Sequence, residues 1–303
     1  MKLSKIHIIL FLLTVATTFI TGLSSGGGYL SATSFSLALL FILGSHEMGH
    51  YYFGKKYGVD ITPPYFIPAP PIISPIGTFG AFIKIKSPIS TKRALFDIGI
   101  AGPLAGIVAT IPVLIIGIKL SSIVELSQHE SAGRLIIGTP IIMSIFTNIF
   151  YGPIPDGYDL YLHPVAFAGW VGLFVTALNL IPSGQLDGGH ITYSLFSKKY
   201  HRYISLTMIV LLIIFGIGTE PILNIGNDFL GSGFKWLTNS IPVIEGWPGW
   251  ILWAVLLTIM GTRHPPTMYE DTELGWKRQL LGILSLLIFI GCFTPMPIKF
   301  IEG

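Results

Sequence analysis

Residues 34–54 (SFSLALLFILGSHEMGHYYFG) form a run long and apolar enough to cross a bilayer, yet its last third carries His46, Glu47 and His50. Ionisable groups at that depth are costly, and most of them are functional. On a helix His46 and His50 stand at i and i+4, so both imidazoles project from one face and can grip one metal ion. Glu47 cannot share that face fully, but it can reach a water on the metal. With eight histidines and eight glutamates in 303 residues, an H-E-x-x-H arises by chance in about one chain in 200. The plain alternative, three polar residues closing a helix end, fits poorly, because the preceding residues carry them into the bilayer.

Composition supports a membrane setting. The chain is 51% hydrophobic and 11% charged, with a mean hydropathy of +0.71. Such a balance excludes a soluble domain and predicts an all-α polytopic membrane protein. The single cysteine, Cys292, excludes an internal disulfide and a cysteine-rich metal site. Any metal must then be held by histidine and carboxylate.

Seven spans are expected, at about residues 6–20, 34–54, 94–118, 164–181, 203–218, 250–261 and 278–292. The first follows Lys2 and Lys5 and lacks an A-x-A-like cleavage site, so it reads as a retained span. Gly22-Leu-Ser-Ser-Gly26 matches the nucleophile-elbow pattern G-x-S-x-G. It lacks the strand before it that the elbow needs, and reads as a flexible linker. Residues 60–90 are too rich in proline for a helix. They end in an alternation of Phe82, Lys84 and Lys86 against Ala81, Ile83 and Ile85, which predicts a short hairpin or re-entrant loop beside the histidine-bearing helix. Gly102 and Gly106 form a G-x-x-x-G pair that packing against another helix explains. Asp97 reads as interfacial or as a partner of Lys92 or Arg93. Residues 135–150 are too short for a span and read as interfacial or re-entrant. His129 and His163 read as loop histidines, and 219–248 as an outer loop. His264, in the RHPP that begins at Arg263, reads first as a loop histidine and second as a residue that supports the ligands or contacts substrate.

The fourth span ends in Asn179-Leu-Ile-Pro-Ser-Gly-Gln-Leu-Asp187-Gly-Gly-His190. Asp187 is the natural third ligand beside His46 and His50; it could instead cap the helix that follows. Lys55, Lys56, Lys84, Lys86, Lys92 and Arg93 follow the second span. Lys198, Lys199 and Arg202 follow the fourth, and Arg263, Lys277 and Arg278 precede the last. With an inside N-terminus these basic loops are cytoplasmic, and all three ligands fall toward the cytoplasmic ends of their spans. The run from Lys198 to Arg202 is then a topology signal, so no nucleic-acid partner is expected.

These residues resemble the site-2 protease family of intramembrane zinc metalloproteases. His46-Glu47-Met48-Gly49-His50 is similar to the family's zinc motif. Asn179-x-x-Pro182-x-x-x-Leu186-Asp187-Gly188-Gly189 is similar to its second motif, whose aspartate is the third ligand. The flanking PYFIP at Tyr65, GTFGA at Gly77, AGPLAG at Ala101 and the stretch from His163 to LDGGH resemble the cyanobacterial and plastid branch. Ser183-Gly-Gln185 departs from the proline-rich tripeptide of other branches. The resemblance implies one Zn2+ on His46, His50 and Asp187, with Glu47 as general base and Asn179 assisting the oxyanion or holding substrate backbone. It also implies a three-helix catalytic core, here residues 34–200 between a first span and loop at 1–33 and C-terminal spans at 201–303. The substrate would be a membrane-spanning protein cut within or near the bilayer, by an integral multi-pass protein of the cell (plasma) membrane with its site toward the cytoplasm. Two other readings stand beside this one: a membrane zincin trimming lipid-modified or soluble peptides, and a non-catalytic scaffold or transporter. The Asp187-Gly-Gly site argues against the first and an intact Glu47 against the second.

Overall fold

The computed structural model describes residues 3–24, 28–125, 135–196, 198–230, 242–269 and 273–300. In chain order the helices are α1 (Lys5–Ser24), α2 (Gly28–Lys56), α3 (Lys92–Leu120), α4 (Ile141–Tyr151), α5 (Pro164–Leu180), α6 (Asp187–Leu195), α7 (Lys198–Ile217), α8 (Thr219–Leu230), α9 (Gly249–Met260) and α10 (Trp276–Cys292). Among the described residues six short strands form three two-stranded antiparallel sheets: β1 (Tyr65–Pro68) with β2 (Thr78–Phe82), β3 (Ser122–Glu125) with β5 (Tyr158–Tyr161), and β4 (Leu135–Ile137) with β6 (Ile298–Phe300). The protein is thus mainly helical with small sheets. Four helices among the described residues, α1, α2, α3 and α7, are long and apolar enough to cross a membrane. Helices α5, α9 and α10, expected as spans, are shorter, at 17, 12 and 17 residues.

α2, α3 and α5 pack on one another as the centre of the molecule, and α6 lies against α3. Their shared core includes Leu39, Leu40, Leu43, Ile107, Leu114, Trp170 and Leu173. Small residues set the close approaches. A Cβ on Gly172 would lie 2.6 Å from Thr110 Oγ1, and one on Gly169 would lie 3.0 Å from Leu114 Cα. α2 and α3 each have 29 residues, about 44 Å of helix, so both reach past a hydrocarbon layer of about 30 Å. α1 packs along α2, where the Thr18 and Ser36 hydroxyls lie 2.6 Å apart in the buried seam.

The expected hairpin is present, but its second strand is Thr78–Phe82 rather than the alternating residues 81–86. The β1–β2 register pairs Tyr65 with Phe82 and Phe66 with Ala81, and beyond it Ile85 makes only an isolated bridge to Ile61. The hairpin lies along α1. His7 stacks on Tyr65 at 4.1 Å between centroids, Phe11 meets Phe66 edge-on, and Gly77 reaches Thr17, Thr18 and Thr21. From His7 to Thr21 is about 21 Å of helix, so this non-helical backbone runs beside much of α1. Such backbone is tolerated at membrane depth when protein covers it or it lines a wet cavity.

Several local expectations change. Asp97 pairs with neither Lys92 nor Arg93. Arg278, from the first turn of α10, grips both Asp97 oxygens at 2.8 and 2.7 Å, and the Tyr57 hydroxyl donates to the same carboxylate. This clamp fastens the far end of the chain to α3. His163 is the N-cap of α5, with Nδ1 accepting from the Val165 amide at 3.2 Å. The outer loop expected at 219–248 begins with a helix, α8. His129 lies outside the described residues. The short apolar patch at 135–150 forms β4 and the 11-residue α4, too short to span.

Candidate metal centre

The last turns of α2 present His46, Glu47 and His50, all buried. Their room comes from α3. A Cβ on Gly102 would fall on the His50 ring, 2.5 Å from both Cδ2 and Cε1, and one on Gly106 would lie 3.2 Å from His46 Nδ1. The G-x-x-x-G pair therefore does more than let a helix approach: each glycine is the recess for one imidazole. One turn earlier the Ile98 carbonyl lies 2.8 Å from His50 Nδ1. A carbonyl only accepts, so the His50 proton sits on Nδ1 and the Nε2 lone pair faces inward.

The third group arrives through a tight return of the chain. After α5 the backbone doubles back over residues 181–186, with Gly184 at φ +56°. Side chains at 188 and 189 would collide with the carbonyls of Leu180, Ser183 and Gly184, so the two glycines after Asp187 make the return possible. The N-cap of α6 is Leu186 and Asp187 is the first residue of that helix, which removes the capping alternative. Its Oδ2 lies 3.3 Å from His46 Nε2 and 3.2 Å from His50 Nε2, and the two Nε2 atoms are 3.0 Å apart.

Three electron-pair donors, two buried imidazoles and a partly buried carboxylate, thus converge on one point, an arrangement that needs a positive charge among them. Four ligands at zinc–nitrogen distances of 2.0–2.1 Å on a tetrahedron lie about 3.3 Å from one another. The spacing fits such an ion, and His46, His50 and Asp187 are the group among the described residues whose ligand atoms meet within 4.8 Å. Two further residues lie at its edge. Asn179 Nδ2 is 3.3 Å from His46 Nε2, and the Glu47 carboxylate faces the Ile83 backbone, just past β2.

A second histidine set, which no sequence motif joins, begins at His190, one turn beyond Asp187 on the same side of α6. His190 sits where a Cβ on Gly99 would lie 2.7 Å from its own Cβ, and its Nδ1 is 2.7 Å from His264 Nε2. His264 is 5% exposed and stacks on Tyr193, so it is no loop histidine in water. His201, in the basic run, is also buried, against Thr192. The only sequence signal was RHPP at Arg263, too short to assign.

A family model described as peptidase family M50 matches residues 34–217. Among curated proteins, the chain is 28% identical over 274 residues to the rice (Oryza sativa subsp. japonica) protein named probable zinc metalloprotease EGY1, chloroplastic. That match covers 88% of this chain and 41% of the relative. It is 29% identical over 277 residues to the Arabidopsis thaliana protein named probable zinc metalloprotease EGY2, chloroplastic, covering 88% and 42%. The rice (Oryza sativa subsp. indica) EGY2 protein is 30% identical over 268 residues, covering 86% and 42%. The chain therefore spans less than half the length of these relatives. No solved structure matches it. Since the family model covers more than half of the chain and contains both the H-E-x-x-H helix and the Asp187-Gly-Gly return, the chain belongs to peptidase family M50.

Proposed function

We propose that the chain is a zinc metallopeptidase that hydrolyses peptide bonds of membrane-spanning proteins within or near the bilayer. The meeting of His46, His50 and Asp187 around one point, beside Glu47, carries this reading. His46, His50 and Asp187 would hold the ion. Zinc, when bound, supplies a Lewis acid that polarises a carbonyl and brings the pKa of a water to about 7. Glu47, next to the first ligand on the same helix, takes the proton of the attacking water and returns it to the leaving amine. Asn179 aims an amide N–H at the same point, where it can steady the developing oxyanion.

A substrate helix hides its carbonyls in its own hydrogen bonds and must open before it can be cut. β2 is paired with β1 alone among the described strands, which leaves one edge free. Phe79 and Phe82 are exposed along it, and the backbone of its continuation at Ile83 faces Glu47. A substrate segment added to that edge would recover its lost backbone bonds and arrive at the site. The catalytic core then comprises residues 34–200, and α5, α9 and α10 complete a seven-span arrangement by local thinning of the bilayer and snorkelling flanks. The basic loops support a metal end that faces the cytoplasm, with the cell membrane as the proposed location.

Cleavage of a single-span test protein by purified wild type and by Glu47→Gln tests the proposal. We expect the variant to retain zinc and lose cleavage. Equal cleavage by both would overturn the role of Glu47, and no cleavage by wild type on any membrane substrate would favour a scaffold.

A further inference from the structure

We propose that His264 is a positioning residue for the metal centre: through His190 it sets the orientation of α6 and so of the Asp187 carboxylate. The inference rests on the metal-site reading above and adds to it a residue outside the span matched by the family model.

Its ground is a directed chain of hydrogen bonds. His264 Nδ1 lies 2.5 Å from the Pro265 carbonyl, which can only accept, so that nitrogen carries the proton. His264 Nε2 is then an acceptor, and His190 Nδ1 donates to it at 2.7 Å. His190 is three residues after Asp187, on the adjoining turn of the same nine-residue helix. So short a helix cannot fix its own direction and takes it from what it is tied to.

Two sides tie it. On one, the Gly99 recess of α3 receives His190, one residue from the carbonyl of Ile98 that orients His50. On the other, residues 261–269 form a strap. The Gly261 carbonyl abuts Gly184 in the return before Asp187, His264 holds His190, and the Met268 and Tyr269 amides bond to the carbonyls of Ile89 and Ser90 just before α3. The strap thus joins the segment leading into α3 to α6, which makes one unit of the helix walls that hold His50 and Asp187. His264 is its polar contact with α6, stacked on Tyr193 at 4.4 Å and closed off by His201.

Packing and hydrogen bonding are separable here. Phenylalanine at 264 keeps the stack on Tyr193 but offers His190 no acceptor, whereas the amide oxygen of glutamine stands in for Nε2. The test is the zinc affinity of the detergent-purified full chain, by competition with a chromogenic chelator, with thermal unfolding followed in parallel. His264→Phe should bind zinc about tenfold more weakly, the loss typical of groups that orient ligands, while His264→Gln stays near wild type. Cleavage by His264→Phe should return when zinc is raised in proportion. Wild-type affinity in His264→Phe, or equal losses in both variants, would overturn the proposal. If His264→Phe does not fold, His190→Asn, whose amide donates in place of Nδ1, and His190→Leu pose the same question from the other side. A wild-type chain without zinc would sink the metal centre itself, a result distinct from either.

Discussion

Replacing Gly102 by alanine asks whether the glycines of α3 serve the imidazoles or merely the approach of two helices. The added Cβ would sit 2.5 Å from Cδ2 and Cε1 of His50 and closer still to Nε2. Ordinary carbon contacts lie at about 3.5 Å or more, so the ring must withdraw by about 1 Å. It cannot tilt away freely, because Nδ1 is bonded to the Ile98 carbonyl. Metal–ligand distances tolerate only about 0.2 Å, so a shift of that size removes His50 as a ligand. Zinc affinity should then fall by at least about 100-fold, beyond the range for groups that only orient ligands. Overpacking should cost about 1–3 kcal/mol of stability. Gly106→Ala is the internal control. Its Cβ would lie 3.2 Å from His46 Nδ1, a crowding that a few tenths of an ångström relieve, so its affinity should stay within about tenfold of wild type. Zinc content and chelator competition on the two purified variants, with thermal unfolding to confirm that both fold, decide the matter. A folded Gly102→Ala that binds zinc like wild type, or two alanines that behave alike, would refute the reasoning.

Arg278→Met should lower thermal stability by about 1–3 kcal/mol, less than a fully buried pair would lose, because the arginine is partly in solvent; an unchanged melting temperature would show that the clamp is idle. Burial first, and then the Asp97 hydrogen bond, hold the Tyr57 phenol above its ordinary range. Its contribution is therefore complete below about pH 10 and is lost as pH rises through the folded-state value, a decline that Tyr57→Phe should flatten in alkaline unfolding curves. Ile83→Pro removes the backbone N–H beside Glu47 and should cut cleavage of a single-span substrate sharply without loss of bound zinc; cleavage at the wild-type rate would refute strand addition at this edge.

The parts legible in the sequence were those fixed by period and chemistry. His46 and His50 declare themselves by helical spacing, and Asp187 by a carboxylate and two glycines at the end of an apolar run. The hairpin was visible in the prolines, although its strand came out earlier than the alternation suggested. What stayed hidden depends on contacts between distant segments. Nothing local distinguishes Arg278 from Lys92 or Arg93 as the partner of Asp97, since the choice is made by where α10 packs. His264 looks like any loop histidine until the strap brings it against His190, 74 residues away. Gly102 and Gly106 read correctly as a close approach, but only the fold shows that the approaching atoms are imidazole rings. The seven-span count rested on apolar runs and the placing of basic loops; α9 and α10 form where those runs lie, at 12 and 17 residues, so hydropathy located the helices but not their ability to cross a bilayer.

The central claim is that two imidazoles of α2 and one carboxylate of α6 share an ion. Zinc analysis of the purified chain beside Asp187→Ala tests it most directly. One zinc per wild-type chain, and almost none in a folded Asp187→Ala, is the result this account expects. A wild type free of transition metal, or an alanine variant that keeps a full zinc, would contradict it.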